Sequence, residues 1–443
     1  MKVGLTPGLQ ALNLSRVATS FGLAIGLARW SYTPAQLAPY ESLWVVYGLA
    51  SFAFSAGLLQ HVLSVVGGAP LHRKAALFGR AQRWTLQLAG FWGGLVAAVG
   101  WWTAGANGPD LLALFMAAFA AAQFGSLLLE YRLVLANRVR AMLTLAAGTA
   151  LANLMAGLVG LYWADELWGL AAGLAAVNVL RLAAAVVLQQ RVSGYARGAT
   201  RSISDRIGRW QLRKAWPLVA QAAIGGSLLY LDSAAVALFL GEEDFVLFRY
   251  GSREFPLVRV LAAGVSSGIV IRLAQAGVGR RQTTERSAAL ATTQREIAKL
   301  CHLTFPLTLL LMVFAEPVFR WVYGEAYVAA VPVFQWLLLV TLPRLVFPQS
   351  FLVAAHRNRD QLLISLQEWW VHLVLVVLLL PFVGLVGAAI AAVAADLLEK
   401  VLLFRKAEQY QLGAVRAFPW WTWSLYSLLL VGAFVALQVG VIG

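Results

Sequence analysis

Cysteine is nearly absent. Cys301 is the only one in 443 residues, so neither a disulfide within the chain nor a cysteine-based metal cluster is available. Histidine is scarce too: His61, His72, His302, His356 and His372 are scattered, with no HExxH pair among them. The phosphate-cradling GxxxxGK[ST] loop and the GxSxG nucleophile elbow are missing as well. Charge is the most telling shortage. Only 12% of residues are charged and 60% are hydrophobic, whereas soluble chains average about 25% and about 45–50%. Such an apolar surface needs lipid as its solvent, which excludes a large soluble catalytic domain.

The charge that remains leans one way, with 35 Lys and Arg against 20 Asp and Glu for a formal +15. Its placement decides whether this means nucleic acid or membrane topology. A helix rises about 1.5 Å per residue across a hydrocarbon core about 30 Å thick, so a span takes about 20 apolar residues. Thirteen stretches qualify: 8–29, 42–66, 83–103, 110–131, 141–162, 167–189, 215–240, 255–277, 298–319, 329–355, 361–381, 384–405 and 419–441. The start of the last, Trp420-Trp421-Thr422-Trp423, reads as an interfacial belt leading into a span or a surface helix.

Basic residues gather in alternate connections: Arg73 to Arg83, Arg132 to Arg140, Arg191 to Lys214, Arg280 to Lys299, Arg357 with Arg359, and Lys400 to Arg416. The connections between them are short and acidic, such as Asp165-Glu166 and Glu242-Glu243-Asp244. The positive-inside rule therefore puts the amino terminus and the basic loops in the cytoplasm, with no nucleic-acid partner. The first segment carries Arg16 inside its apolar run and no small-residue cleavage site follows it, so it is not a signal peptide.

The expected fold is all-α and polytopic, with about 12–13 transmembrane helices. Residues 1–190 form a six-helix lobe, 191–214 a basic cytoplasmic linker, 215–406 a second six-helix lobe, and 407–443 an extra segment with a thirteenth helix. Both lobes start inside, which makes them parallel repeats with a substrate site between them. The longest outward connection, Gly241 to Glu254, leaves no room for an external enzyme domain.

Ionisable groups inside spans cost roughly 2.5–3.5 kcal/mol on insertion scales, so they mark function or pairing. Asn13, Arg16 and Ser20 share one face of the first helix, and Arg16 either lines an inward-open cavity or snorkels to the interface. Gln221, Gly225 and Asp232 share a face of the seventh; Gln361, Ser365, Glu368 and His372 form a stripe along the eleventh; Asp396 lies on the twelfth. Asp232, Glu368 and Asp396 on three helices of one lobe form a candidate sodium or proton site. Charge pairing is the alternative, Glu368 with His372 and Asp396 with Lys400, each one turn apart. Pro343-Arg344 and Pro348 break the tenth helix, so Arg344 is either a cavity cation or the partner of a carboxylate such as Asp232. Arg253, before Pro256 at the start of the eighth helix, either offers a bidentate fork to phosphate or bridges to Glu254, Glu243 or Asp244. Arg272, further along that span, snorkels inward.

On these residues the chain resembles the multidrug/oligosaccharidyl-lipid/polysaccharide exporter superfamily, on the branch of polysaccharide and O-antigen flippases. Phe248-Arg249-Tyr250-Gly251-Ser252-Arg253-Glu254-Phe255-Pro256-Leu257 resembles the "YGxRExPL" start of the eighth helix in bacterial polysaccharide flippases. Glu316-Pro317-Val318-Phe319-Arg320-Trp321-Val322-Tyr323-Gly324-Glu325-Ala326-Tyr327 resembles the turn that ends their ninth helix. Leu37-Ala38-Pro39-Tyr40-Glu41-Ser42-Leu43 stands where they begin the second helix, with the glycines missing.

The resemblance implies an alternating-access flippase, not an enzyme, in the bacterial inner membrane. It would move a polyprenyl-pyrophosphate-linked oligosaccharide beside polysaccharide polymerase or glycosyltransferase machinery. Arg253, Arg16 and Arg344 would be the cavity cations. Some relatives hold sodium between helices seven, eleven and twelve, where Asp232, Glu368 and Asp396 match by type, and no other cofactor is implied. A multidrug/cation antiporter of the same superfamily is the alternative, followed by a membrane glycan-modifying enzyme. The antiporter would need an acidic cavity, and the first lobe's spans show almost no deep carboxylate.

Overall fold

The computed structural model describes residues 5–30, 32–49, 71–104, 110–128, 133, 138–193, 220, 223–228, 230–253, 256–276, 284–355 and 357–440. They form two compact units, Met1–Tyr230 and Leu231–Gly443. The division falls inside the seventh helix. Of the expected linker 191–214, residues 194–214 lie outside the described set.

The first unit holds α1 (Leu5–Arg29), α2 (34–49), α3 (Leu71–Ala104), α4 (Leu111–Gly125), α5 (Val139–Ala164) and α6 (Leu167–Ser193). α3 packs on α4, α4 on α6, α6 on α5 and α5 on α1. Lipid supplies no hydrophobic drive between helices, so small residues let backbones approach instead. A Cβ on Gly160 would meet the Gly169 carbonyl at 2.1 Å, and one on Gly173 would meet the Ala156 carbonyl at 2.0 Å. α5 and α6 therefore pack backbone to backbone. Between them Asp165 turns the chain in the left-handed region, at φ 52°, and its side chain and carbonyl accept bonds from Trp30 and Tyr32. Burial beside Asp165 and Glu166 holds the Tyr32 phenol above its ordinary range, so it stays a donor.

The second unit contains α7 (described as helix over Tyr230–Phe239), α8 (Glu242–Gly251), α9 (Pro256–Gln275), α10 (Thr284–Val313) and α11 (Ala315–Val322). A 3-10 turn (Glu325–Ala330) leads into α12 (Val331–Leu338), α13 (Thr341–Arg344) and α14 (Pro348–Ala354). α15 (Asn358–Val383), α16 (Leu385–Gln409) and α17 (Trp420–Gln438) complete it. Gly384, at φ 64°, is the hinge between α15 and α16, which lie side by side.

Several expected boundaries differ, among them the start of the third helix, at Leu71 rather than 83, and the end of the fourth, at Gly125 rather than 131. The second helix begins at 34 rather than 42, which brings Glu41 into it, fully buried. The ninth span is α10 followed after one residue by α11, since Phe314 interrupts the helix. The tenth is three short helices. Pro343 and Pro348 interrupt the backbone ladder there, and the Leu342 carbonyl accepts the Trp423 indole N–H of α17 at 3.0 Å. Among the described residues, six segments are long and apolar enough to cross a membrane, including Glu325–Arg344 and Trp420–Gln438. The protein is a multi-pass membrane protein.

Candidate functional site

α15 carries its polar stripe into the interior of the second unit. Gly384 folds α16 back along α15, where a Cβ on Gly387 would meet the Leu379 carbonyl at 2.7 Å, and Ala388, Ala391 and Ala395 of α16 are buried. That close approach brings together groups from both helices. Ser365, Glu368 and His372 are buried on α15, and Glu399 on α16 is 9% exposed.

The stripe splits into two pairings. His372 Nε2 lies 2.7 Å from Asp232 Oδ1 on α7, a buried pair. One turn earlier, Glu368 sits with Asp396 and Glu399, one oxygen of each within 4.8 Å of the others. Lys400 bonds Glu399 and lies 3.2 Å from Asp396, while Ser365 donates to Glu399 at 3.4 Å. The group thus sets three carboxyls and one ammonium beside a histidine–aspartate pair. Buried charges persist only when paired in this way.

Of Asp232, Glu368 and Asp396, expected as one site, Glu368 and Asp396 come together with Glu399, while Asp232 pairs with His372, one turn along α15 from Glu368. The expected Asp396–Lys400 pair forms. Glu368 faces Asp396 and Glu399, and His372 turns to Asp232, so the proposed Glu368–His372 pair is replaced. The reason is that α7 brings Asp232 within 2.7 Å of the ring, while Glu368 is taken up with Asp396 and Glu399. Glu399 was not anticipated. Its signal was the spacing Asp396, Glu399, Lys400, which at i, i+3, i+4 shares one face of α16. A hard cation such as sodium takes several oxygens, and three are within reach here. Lys400, however, already lies on two of the three carboxyls. The residues fit a site whose fixed cation is the chain's own lysine.

The arginines divide differently. Arg253 follows the end of α8, with its guanidinium 4.4 Å above the Tyr250 ring. Tyr250 packs on Tyr327 and Tyr323 at centroid distances of 4.4 and 5.2 Å, and a Cβ on Gly251 would meet the Ala330 carbonyl at 2.9 Å. The two sequence motifs at 248–257 and 316–327 therefore fold against each other. Arg344, on the broken helix, lines a small cavity of about 20 Å³ with Gly251, Thr308 and Thr341. Arg272 is tied at 2.5 Å to Glu296, a residue of the basic segment between Arg280 and Lys299. Arg16 lies on α1, with its side chain outside the described residues. In the first unit a buried arginine escaped notice: Arg181 is 7% exposed and donates to Gln123 at 3.0 Å.

No family model and no curated protein matches the sequence. Solved structures do match in shape. A MOP superfamily transporter from Pyrococcus furiosus, described as having a binding pocket of reverse polarity, aligns with TM-score 0.61 at 13% identity, covering 94% of this chain and 97% of that one. The lipid II flippase MurJ in an inward closed conformation gives 0.59 at 11% identity, covering 96% and 98%. A MATE transporter in complex with MaD5 gives 0.62 at 13%, covering 93% and 95%. The chain has the MOP superfamily fold, an all-helical membrane fold of two six-helix lobes. The similar proteins are transporters and flippases, not enzymes.

Proposed function

We propose that the protein is an alternating-access flippase that moves a polyprenyl-pyrophosphate-linked oligosaccharide across the bacterial inner membrane, coupled to a cation gradient, with its amino terminus in the cytoplasm. A pyrophosphate carries about two negative charges and cannot cross hydrocarbon alone, so guanidinium groups must replace its hydration while the polyprenyl tail stays in lipid. Arg253, Arg16 and Arg344 take that role in this reading. The single observation that carries the coupling is the buried acid assembly around Glu368, with Asp232 held by His372. Carboxyls and an imidazole gathered on α7, α15 and α16 can take up and release protons as the unit changes state, without a bound metal. Among the two ions, this favours the proton, because Lys400 already stands among the oxygens. Polymerase or glycosyltransferase machinery would act on the same lipid-linked substrate.

The test is reconstitution in proteoliposomes with labelled polyprenyl-pyrophosphate oligosaccharide, scoring leaflet exchange. Arg253→Ala is expected to insert normally and to lower exchange by at least about tenfold, the loss of a charge-assisted contact. Wild-type exchange in that variant would remove Arg253 from the substrate path. A second reading, efflux of organic cations, is favoured by one observation: Glu41 is a fully buried carboxylate in the first unit. Uptake of labelled organic cations by the same vesicles, with no leaflet exchange, would establish that reading instead.

A further inference from the structure

The second unit holds a second pocket, at the end of α16 beyond the acid assembly, lined by none of the assembly's residues. It has a volume of about 360 Å³ and lies where the start of α10 meets the turn between α16 and α17. That volume is within the range of small-ligand sites, about 300–1,000 Å³. Arg286 and Arg416 line it together with Ser287 and a single carboxylate, Glu408. One oxygen of Glu408 accepts the Val415 amide at 3.0 Å, which turns it toward the backbone. The lining is therefore net basic and carries a hydroxyl.

The pocket is also rigidly made. Arg286 is 7% exposed and donates to the Gln411 carbonyl. Gln411 is in the left-handed region at φ 50°, where a residue with a Cβ is held only by its surroundings, and Gly413 follows at φ 78°. The turn thus fixes the guanidinium in place. Trp420 locks the far side by donating its indole N–H to the Val415 carbonyl at 3.0 Å.

Depth and sidedness point to the ligand. Tryptophans settle at the headgroup level of a bilayer, and Trp421, 83% exposed, stands five residues after Arg416. The two segments that form the pocket belong to basic connections, which the positive-inside rule puts at the cytoplasmic leaflet, where anionic lipids concentrate. Beyond the tryptophans α17 exposes Leu425, Leu428 and Leu429, an apolar surface suited to acyl chains. We propose that this pocket binds the phosphate headgroup of an anionic phospholipid of the cytoplasmic leaflet, held by Arg286 and Arg416. The chemistry is a phosphate met by the Arg416 guanidinium and by the positive charge of Arg286, which keeps its bond to the Gln411 carbonyl, and the site is separate from the transport path proposed above.

The test uses the full chain, purified in mild detergent and offered phosphatidylglycerol or phosphatidylcholine, with retained lipid read by native mass spectrometry. Wild type is expected to retain phosphatidylglycerol preferentially. Arg416→Glu, at an exposed position, should lower that retention by about tenfold, and Arg286→Gln at least as much. Arg405→Glu, an exposed basic residue outside the pocket, should change little. Equal retention of both lipids, unchanged retention in Arg416→Glu, or an equal loss in Arg405→Glu would each overturn the proposal. Inorganic phosphate added at the same concentration as the lipid should not displace it. Displacement would assign the pocket to a soluble phosphate instead.

Discussion

In the first unit most of the buried polar side chains described are neutral, with Glu41 and Arg181 the exceptions. Gln82 donates to the Gly125 carbonyl, Asn178 to Asn153 and to the Leu174 carbonyl, and the buried Arg181 is met by the amide of Gln123. In the second unit the corresponding interior is ionisable, with Asp232, Glu368, His372, Asp396, Glu399 and Lys400 drawn from three helices. Amide networks are either made or broken, and once made they hold a structure in one state. Carboxyls and imidazole have two charge states, so their network can be rebalanced by a proton. On the coupling proposed above, the second unit's interior is the one that responds to ions, whereas the first unit's is mostly amide framework around Glu41 and Arg181.

The sharpest way to break this contrast is to unbalance one interior and not the other. Lys400→Met leaves the carboxyls of Asp396, Glu399 and Glu368 without their ammonium. Removing one member of a buried charged group costs about 3–5 kcal/mol, whereas losing an amide hydrogen bond in a membrane interior costs about 1 kcal/mol. Thermal unfolding in detergent should therefore fall much further in Lys400→Met than in Asn178→Ala. Added sodium should recover part of the loss in Lys400→Met alone, since it re-supplies a cation to the vacated oxygens. Equal shifts in the two variants would erase the distinction between the units.

A functional version of the comparison is smaller in energy. Asp232→Asn keeps the shape and a hydrogen bond to His372 but removes the charge. Gradient-driven exchange should fall by about tenfold, while exchange without a gradient persists. Arg181→Gln in the first unit should leave the ratio of driven to undriven rates unchanged. A response to a proton gradient that survives in Asp232→Asn would take α7 out of the coupling site.

How much of this was legible beforehand follows from the physics of each feature. Span positions came from apolar length alone, because lipid imposes that length on every helix, and ends such as 167–189 against Leu167–Ser193 differ by little. The polar stripe on α15 was visible from 3.6-residue spacing. Its partners were not, since periodicity gives a face and not what the face meets. Glu399 and the Asp232–His372 pair depend on how α7 and α16 approach α15, which the Gly384 hinge and the alanine-rich face of α16 decide. Arg181 escaped because a single arginine near the basic end of a span reads as a snorkelling group. Glu41 escaped because the second helix starts a full two turns before its apolar run does.

The same dependence on a neighbouring helix gives the smallest expected effect. The tenth span is broken by prolines, and one of its carbonyls, that of Leu342, is met by the Trp423 indole. In the first unit α3 to α6 run without internal proline, and α2 continues through Pro39 as one helix. Trp423→Phe keeps an aromatic ring against Phe418 and deletes the donor. A hydrogen bond of this kind is worth about 1 kcal/mol, so thermal stability should drop slightly but measurably. Trp421→Phe, at an 83% exposed position, is the matched control and should leave stability unchanged. If Trp423→Phe is as stable as the control, the Leu342 carbonyl finds another donor and α17 is dispensable to the broken helix. If it is less stable, α17 is a structural support for the break that carries Arg344.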